Sequence, residues 1–314
     1  MRVLLAIDAL PHSRAAVDLM TSLRWPQGTV IDVIGVEEPK VDVFGHGLYG
    51  TTTTPYPVAD PKTTLAAALD EAAAALESPT CLVRRAILVG EPSAVIVQAA
   101  DTFRADLIVV GSRGLGSVKT ALVGSVSAAV VDHAPCPVLV VRGGAIGSVL
   151  LAVDASTAAQ TAVTYLEANR FLAGLPFEVL TVTEPSAQPA MLPLASMSPD
   201  SIEWYDTEAR DRREEAAQIA TSSAIALRRD GYSTRSLISQ GDAAHEILRV
   251  AGTLDRPLVV VGTRGYHGLT RLVLGSVARR VLLHAHGSVL VVREPIRQRD
   301  KREVPAREPV MLSA

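Results

Sequence analysis

Aromatic residues make up only 4% of this 314-residue chain: two Trp, four Phe and six Tyr. A core so short of rings must be filled by aliphatic side chains, which favours buried parallel strands under alanine-rich helices. Cysteine is as scarce. Cys81 and Cys136 form no C-x-x-C pair and no metal-ligand spacing, so no disulfide framework is expected and a reducing compartment is. Surplus positive charge is missing too. The net charge is −3 and neither half is strongly basic, which argues against a nucleic-acid surface. No apolar run approaches the ~18 residues that span a membrane, although 48% of the chain is hydrophobic and the mean hydropathy is +0.26. The opening MRVLLAIDAL is interrupted by Asp8 and reads as a first strand, not a leader. A cytoplasmic location without membrane contact is expected.

What the chain does have is repetition. Val3-LLAID-Ala9 recurs as Val149-LLAVD-Ala155, and VIGVEEP ending at Pro39 as VLTVTEP ending at Pro185. DLIVVGSRG and APCPVLVVR recur as RPLVVVGTRG and AHGSVLVVR. The chain is a tandem duplication of a unit of about 150 residues. Residues 3–8, 29–36, 81–88, 106–110 and 137–142 read as strands. Helices fall between them, from Ser13 to Arg24, Thr64 to Glu77, Pro92 onward and Ser125 to His133. The second unit repeats this order with a longer helix from Ser201 to Arg229. Such alternation predicts an α/β fold of two Rossmann-like domains, each a parallel sheet covered on both faces. The domains are expected over 1–143 and 147–294. Residues 295–314 mix charges and prolines without periodicity and read as a disordered tail.

The glycine segment GSRGLGSVKTALVGS at 111–125 fits neither familiar phosphate template. Lys119-Thr120 follows Val118 rather than a glycine, and Lys119 stands where a dinucleotide loop needs its third glycine. The spacing is instead Gly111-x2-Gly114-x9-Gly124-Ser125, repeated as Gly262-x2-Gly265-x9-Gly275-Ser276. Glycines let backbone N–H groups approach an anion without a Cβ in the way. Arg113 and Arg264 add charge. Gly124-Ser125 opens a helix whose N-terminus favours phosphate. Asp8 ends the first strand and suits a ribose hydroxyl or an adenine edge, or caps the helix that follows.

This pattern resembles the universal stress protein family in its tandem two-domain form. The resemblance covers about residues 1–142 and 147–293 and rests on the Asp after the first strand, the V-x-E-P-like end of the second, the glycine motif and the HAPCPVLVVR ending. It implies five-stranded sheets of order 3-2-1-4-5 of the adenine nucleotide alpha hydrolase-like kind. It implies an adenine nucleotide such as ATP, with Mg2+ in company, in a pocket of Ala6, Asp8 and Val36. Gly111, Arg113, Gly114, Gly124, Ser125, Val126 and Ser127 would hold ribose and phosphates. The matching second set is Ala152, Asp154, Val182, Gly262, Arg264, Gly265, Gly275, Ser276 and Val277. Ala278 stands where the first unit has Ser127, and Tyr266 and His267 replace Leu115 and Gly116, so a weaker or differently selective second site is expected. The resemblance further implies that the two last strands pair within one chain. A homodimer and an unidentified protein partner are compatible with it.

The glycine motif brings no positioned Glu or His base. A nucleotide-dependent regulator of stress response or growth state, with little or no turnover, is therefore expected. A slow ATPase and an interaction module that binds no nucleotide are the alternatives.

Overall fold

The computed structural model describes residues 1–39, 61–112, 123–184, 199–263 and 274–293. In the first unit β1 (Arg2–Ala6), α1 (Pro11–Ser22), β2 (Thr29–Glu37), α2 (Pro61–Leu76), β3 (Cys81–Val89), α3 (Pro92–Phe103), β4 (Leu107–Gly111), α4 (Ser125–His133) and β5 (Val138–Val141) alternate. The second unit repeats them as β6 (Ser148–Ala152), α5 (Thr157–Asn169), β7 (Pro176–Thr183), α6 (Pro199–Arg229), β8 (Ser233–Gln240), α7 (Ala243–Ala251), β9 (Pro257–Gly262), α8 (Ser276–His284) and β10 (Ser288–Val292). The first strand stops at Ala6 rather than at residue 8, because the chain there turns into α1. That helix starts at Pro11, two residues before the expected Ser13; proline suits a first helical turn, where its missing N–H costs nothing. The expected tail 295–314 lies outside the described residues.

Within the first unit the sheet order is β3-β2-β1-β4-β5, and within the second β8-β7-β6-β9-β10, all parallel. The strands are apolar on both faces because helices cover both. Val3, Leu5, Leu107 and Val109 pack under α1 and α2, while Leu4, Ile108 and Val110 pack under α3 and α4. Each fully buried Val or Leu contributes about 1.5–3 kcal/mol, so the short strands are stabilised mainly by what covers them.

The two sheets join into one of ten strands. β5 and β10 lie antiparallel, with Val140 opposite Val289, Leu139 opposite Leu290 and Val138 opposite Val291. All six side chains are buried. The seam is stitched on both faces. Trp25 stacks on Phe171 with centroids 5.5 Å apart, and the Tyr165 ring meets Phe171 edge-on. Tyr165 Oη donates to the Asp106 carbonyl at 3.1 Å. On the other face Arg279 pairs with Asp132 at 2.8 Å.

Two arginines close the seam. Arg142 follows β5 and donates to the Ala285 carbonyl at 2.6 Å, to the Gly287 carbonyl at 3.3 Å and to the Leu282 carbonyl. Arg293 follows β10 and donates to the Ala134 carbonyl at 2.6 Å and to the Val131 carbonyl. Each thus meets the last carbonyls of a helix in the opposite unit, where a cation is favoured by the helix dipole and by orphan acceptors.

Candidate functional site

The strand order reverses around β1 and β4 in the first unit and around β6 and β9 in the second. Connections on either side of such a pair leave to opposite faces of the sheet, which opens a crevice at the carboxyl ends of the strands. The registers place the candidate residues there. Ala6 lies level with Ile34 and with Val110, so Val36 and Gly111 follow just beyond it. In the second unit Ala152 lies level with Leu180, and Leu151 with Val260, so Val182 and Gly262 gather at the same row.

Asp8 stands two residues past β1, half-buried. Its Oδ1 accepts from the Leu10 backbone N–H at 3.1 Å and from the Ser13 hydroxyl, and its own N–H donates to Ser13 Oγ at 3.0 Å. Asp154 is more exposed but built alike. Its Oδ1 accepts from the Ser156 backbone N–H at 3.1 Å and from the Ser156 hydroxyl, and Ser156 Oγ in turn accepts from the Ala159 N–H at 3.2 Å. Neither aspartate is itself the N-cap; those positions belong to Leu10 and Ser156. Each carboxylate is braced through one oxygen against the start of a helix. Among the described residues the other oxygen, Oδ2, accepts no hydrogen bond. The two serines are the residues that motif reading missed. They differ in spacing from their aspartates, so no shared pattern marks them.

Across the crevice, the loop after β4 returns onto its own strand. The Gly124 N–H donates to the Ser112 carbonyl at 2.7 Å, and the Gly275 N–H to the Thr263 carbonyl at 2.6 Å. These bonds hold the starts of α4 and α8 against the carboxyl ends of β4 and β9. Neither helix has a side-chain cap. The first helical bonds run from Ala128 N–H to Gly124 and from Arg279 N–H to Gly275. The N–H groups of Ser125, Val126 and Ser127, and of Ser276, Val277 and Ala278, therefore have no intrahelical acceptor. Ser125 and Ser276 are exposed and Val126 is half-buried, while Val277 is 36% exposed.

Two candidate residues have structural duties. Ser127 is buried, and its hydroxyl donates to the Gly111 carbonyl at 2.6 Å, tying α4 to β4. Its proton is not aimed outward at a phosphate. The Ala278 methyl is buried at the matching position of α8. Gly262 makes room for α5. A Cβ there would sit 2.8 Å from the backbone of Ala158, closer than real contacts allow. Arg113, Gly114, Arg264 and Gly265, with Tyr266 and His267, lie outside the described residues. Among the described residues no cluster of His, Cys, Asp and Glu could hold a metal, and no helix is long and apolar enough to cross a membrane.

The family model described as the universal stress protein family matches residues 1–142 and again 146–293. The chain belongs to the universal stress protein family. A universal stress protein from Thermus aquaticus is 36% identical over 141 residues, which is 45% of this chain and 97% of that one. One from Mycolicibacterium smegmatis is 29% identical over 195 residues, 60% of this chain and 62% of the relative. Among solved structures, a universal stress protein from Archaeoglobus fulgidus superposes with a TM-score of 0.59 at 19% identity, covering 93% of this chain and 98% of that one. That similarity is one of fold.

Proposed function

We propose that this universal stress protein binds an adenine nucleotide, ATP in the first instance, in each of its two crevices and works as a regulator with little or no turnover. The observation that carries this reading is the arrangement at the ends of β1 and β4. An uncapped helix start, pinned by Gly124, lies at the end of β4, and the neighbouring strand β1 leads to an aspartate that keeps one carboxylate oxygen unbonded among the described residues. Free N–H groups at a helix N-terminus attract phosphate, and a carboxylate oxygen accepts from ribose hydroxyls. The same pair recurs at β6 and β9. Ser125, Val126 and Ser127 would hold phosphate through the backbone, and Ala6, Val36 and Asp8 would face the nucleoside. Ala152, Asp154, Val182, Ser276 and Val277 would do so in the second unit. Arg113, Gly114, Arg264 and Gly265 belong to the same proposal on their place in the repeated motif. With backbone groups doing the phosphate work in both units, Ala278 does not weaken the second site.

The test is to release bound small molecules from freshly purified protein and count them by mass spectrometry, then titrate ATP into the emptied protein by calorimetry. Two ATP per chain is the expected result. A chain that neither carries adenine nucleotide nor binds added ATP overturns the proposal, and steady phosphate release abolished by Gly124→Asp would replace it with an ATPase.

A further inference from the structure

Arg142 and Arg293 do more than close the seam, because of where each one starts and where it ends. Val141 lies level with Gly111 at the carboxyl end of β4, and the Ser112 N–H donates to the Val141 carbonyl at 2.9 Å. Arg142 is the next residue. It therefore leaves from the rim of the first crevice and holds the C-terminus of α8, whose N-terminus forms the second crevice. Val292 lies level with Gly262 in the same way. Arg293 leaves from the rim of the second crevice and holds the C-terminus of α4, whose N-terminus forms the first.

We infer that Arg142 and Arg293 are crossed positioning residues, each fixing the helix that binds phosphate in the other unit, so that the two sites share one mechanical frame. This rests on the nucleotide reading above. Four observations support it. Both guanidinium groups span two carbonyls of one helix end, a fork that only arginine supplies. Arg293 is 7% exposed, and burial lowers its pKa, so it sits where water does not substitute for those bonds. Both α4 and α8 are only nine residues long. A load applied at one end of so short a rigid rod reaches the other. Finally, the Arg279–Asp132 pair joins the two helices directly.

The test uses two parent variants of the full chain. Ser125→Glu puts a carboxylate on the exposed first turn of α4 and blocks the first site, while remaining compatible with the helix dipole. Ser276→Glu does the same for the second. With ATP as probe, Arg293→Met weakens binding at the first site by about tenfold and leaves the second nearly unchanged, and Arg142→Met does the reverse. Arg→Lys, which keeps charge but loses the fork, falls between. A general loss of stability would instead weaken both sites together, and that outcome, or a loss confined to the arginine's own unit, overturns the inference. Amide exchange without nucleotide carries the same crossed expectation. Arg293→Met speeds exchange along α4 but not α8, so the inference remains testable even if the chain binds no ATP. Equal exchange in both helices sinks it.

Discussion

Ser127 separates a structural hydroxyl from a binding one. Ser127→Ala removes the bond to the Gly111 carbonyl and should cost about 1–3 kcal/mol in denaturant unfolding, the usual cost of a buried acceptor left bare. ATP affinity at the first site should stay as it was, since the N–H of residue 127 survives the substitution. A large drop in affinity would return the hydroxyl to the binding site. Cys136 offers a second residue-level check. Burial first, and then Asp106, push its thiol pKa up to about 12, against a smaller pull from Arg293. The folded value lies above the unfolded one, so the protonated thiol's contribution is complete below about pH 8.5 and is lost as the pH rises towards about 12. At pH 8 an aromatic disulfide reagent should leave the thiol of Cys136 untouched until denaturant is added. What could be read in advance at this scale was uneven. Asp8 and Gly124 stand out because their neighbours in sequence repeat. Ser13 and Ser156 do not, because the same brace is built from two different spacings.

At the scale of elements, Gly262 links sequence motif to packing. The glycine that ends β9 admits the first turn of α5. Gly262→Ala should destabilise the chain by about 1–3 kcal/mol, the range for overpacking, measured as a lower denaturation midpoint. Loss of ATP binding without loss of stability would show instead that the position serves the ligand alone. Helix starts were legible from Pro92 and Gly124, since each residue type has a conformational reason to stand there, whereas the pattern pointed past Pro11 to Ser13. Two ends, His133 and Arg229, also fell where expected, but the groups that close the ends of α4 and α8 were not legible. Val131, Ala134, Leu282 and Ala285 offer their carbonyls to arginines more than a hundred residues away in sequence. No local pattern announces such a partner. The strand order was legible only through family resemblance, because periodicity distinguishes a strand from a helix but says nothing of which strands are neighbours.

The whole molecule depends on the β5–β10 ladder. Cut free, residues 1–143 would present β5 as a bare apolar edge, with Val138 to Val141 unpaired along one side and Arg142 without its helix. Such edges recruit other strands. The isolated half should therefore self-associate, with a sedimentation coefficient that rises with concentration, whereas the full chain buries that edge internally. A half that stays monomeric at high concentration would mean that the seam contributes little.

The antiparallel seam also decides which way each unit faces. All strands of the first unit run one way and all strands of the second run the other, so their carboxyl ends lie on opposite rims of a single slab. The two crevices open back to back. A flat partner docked on one rim has no view of the other. Two readers could sit on this chain at once without touching, one at each pole, and the only thing they would share is the slab between them.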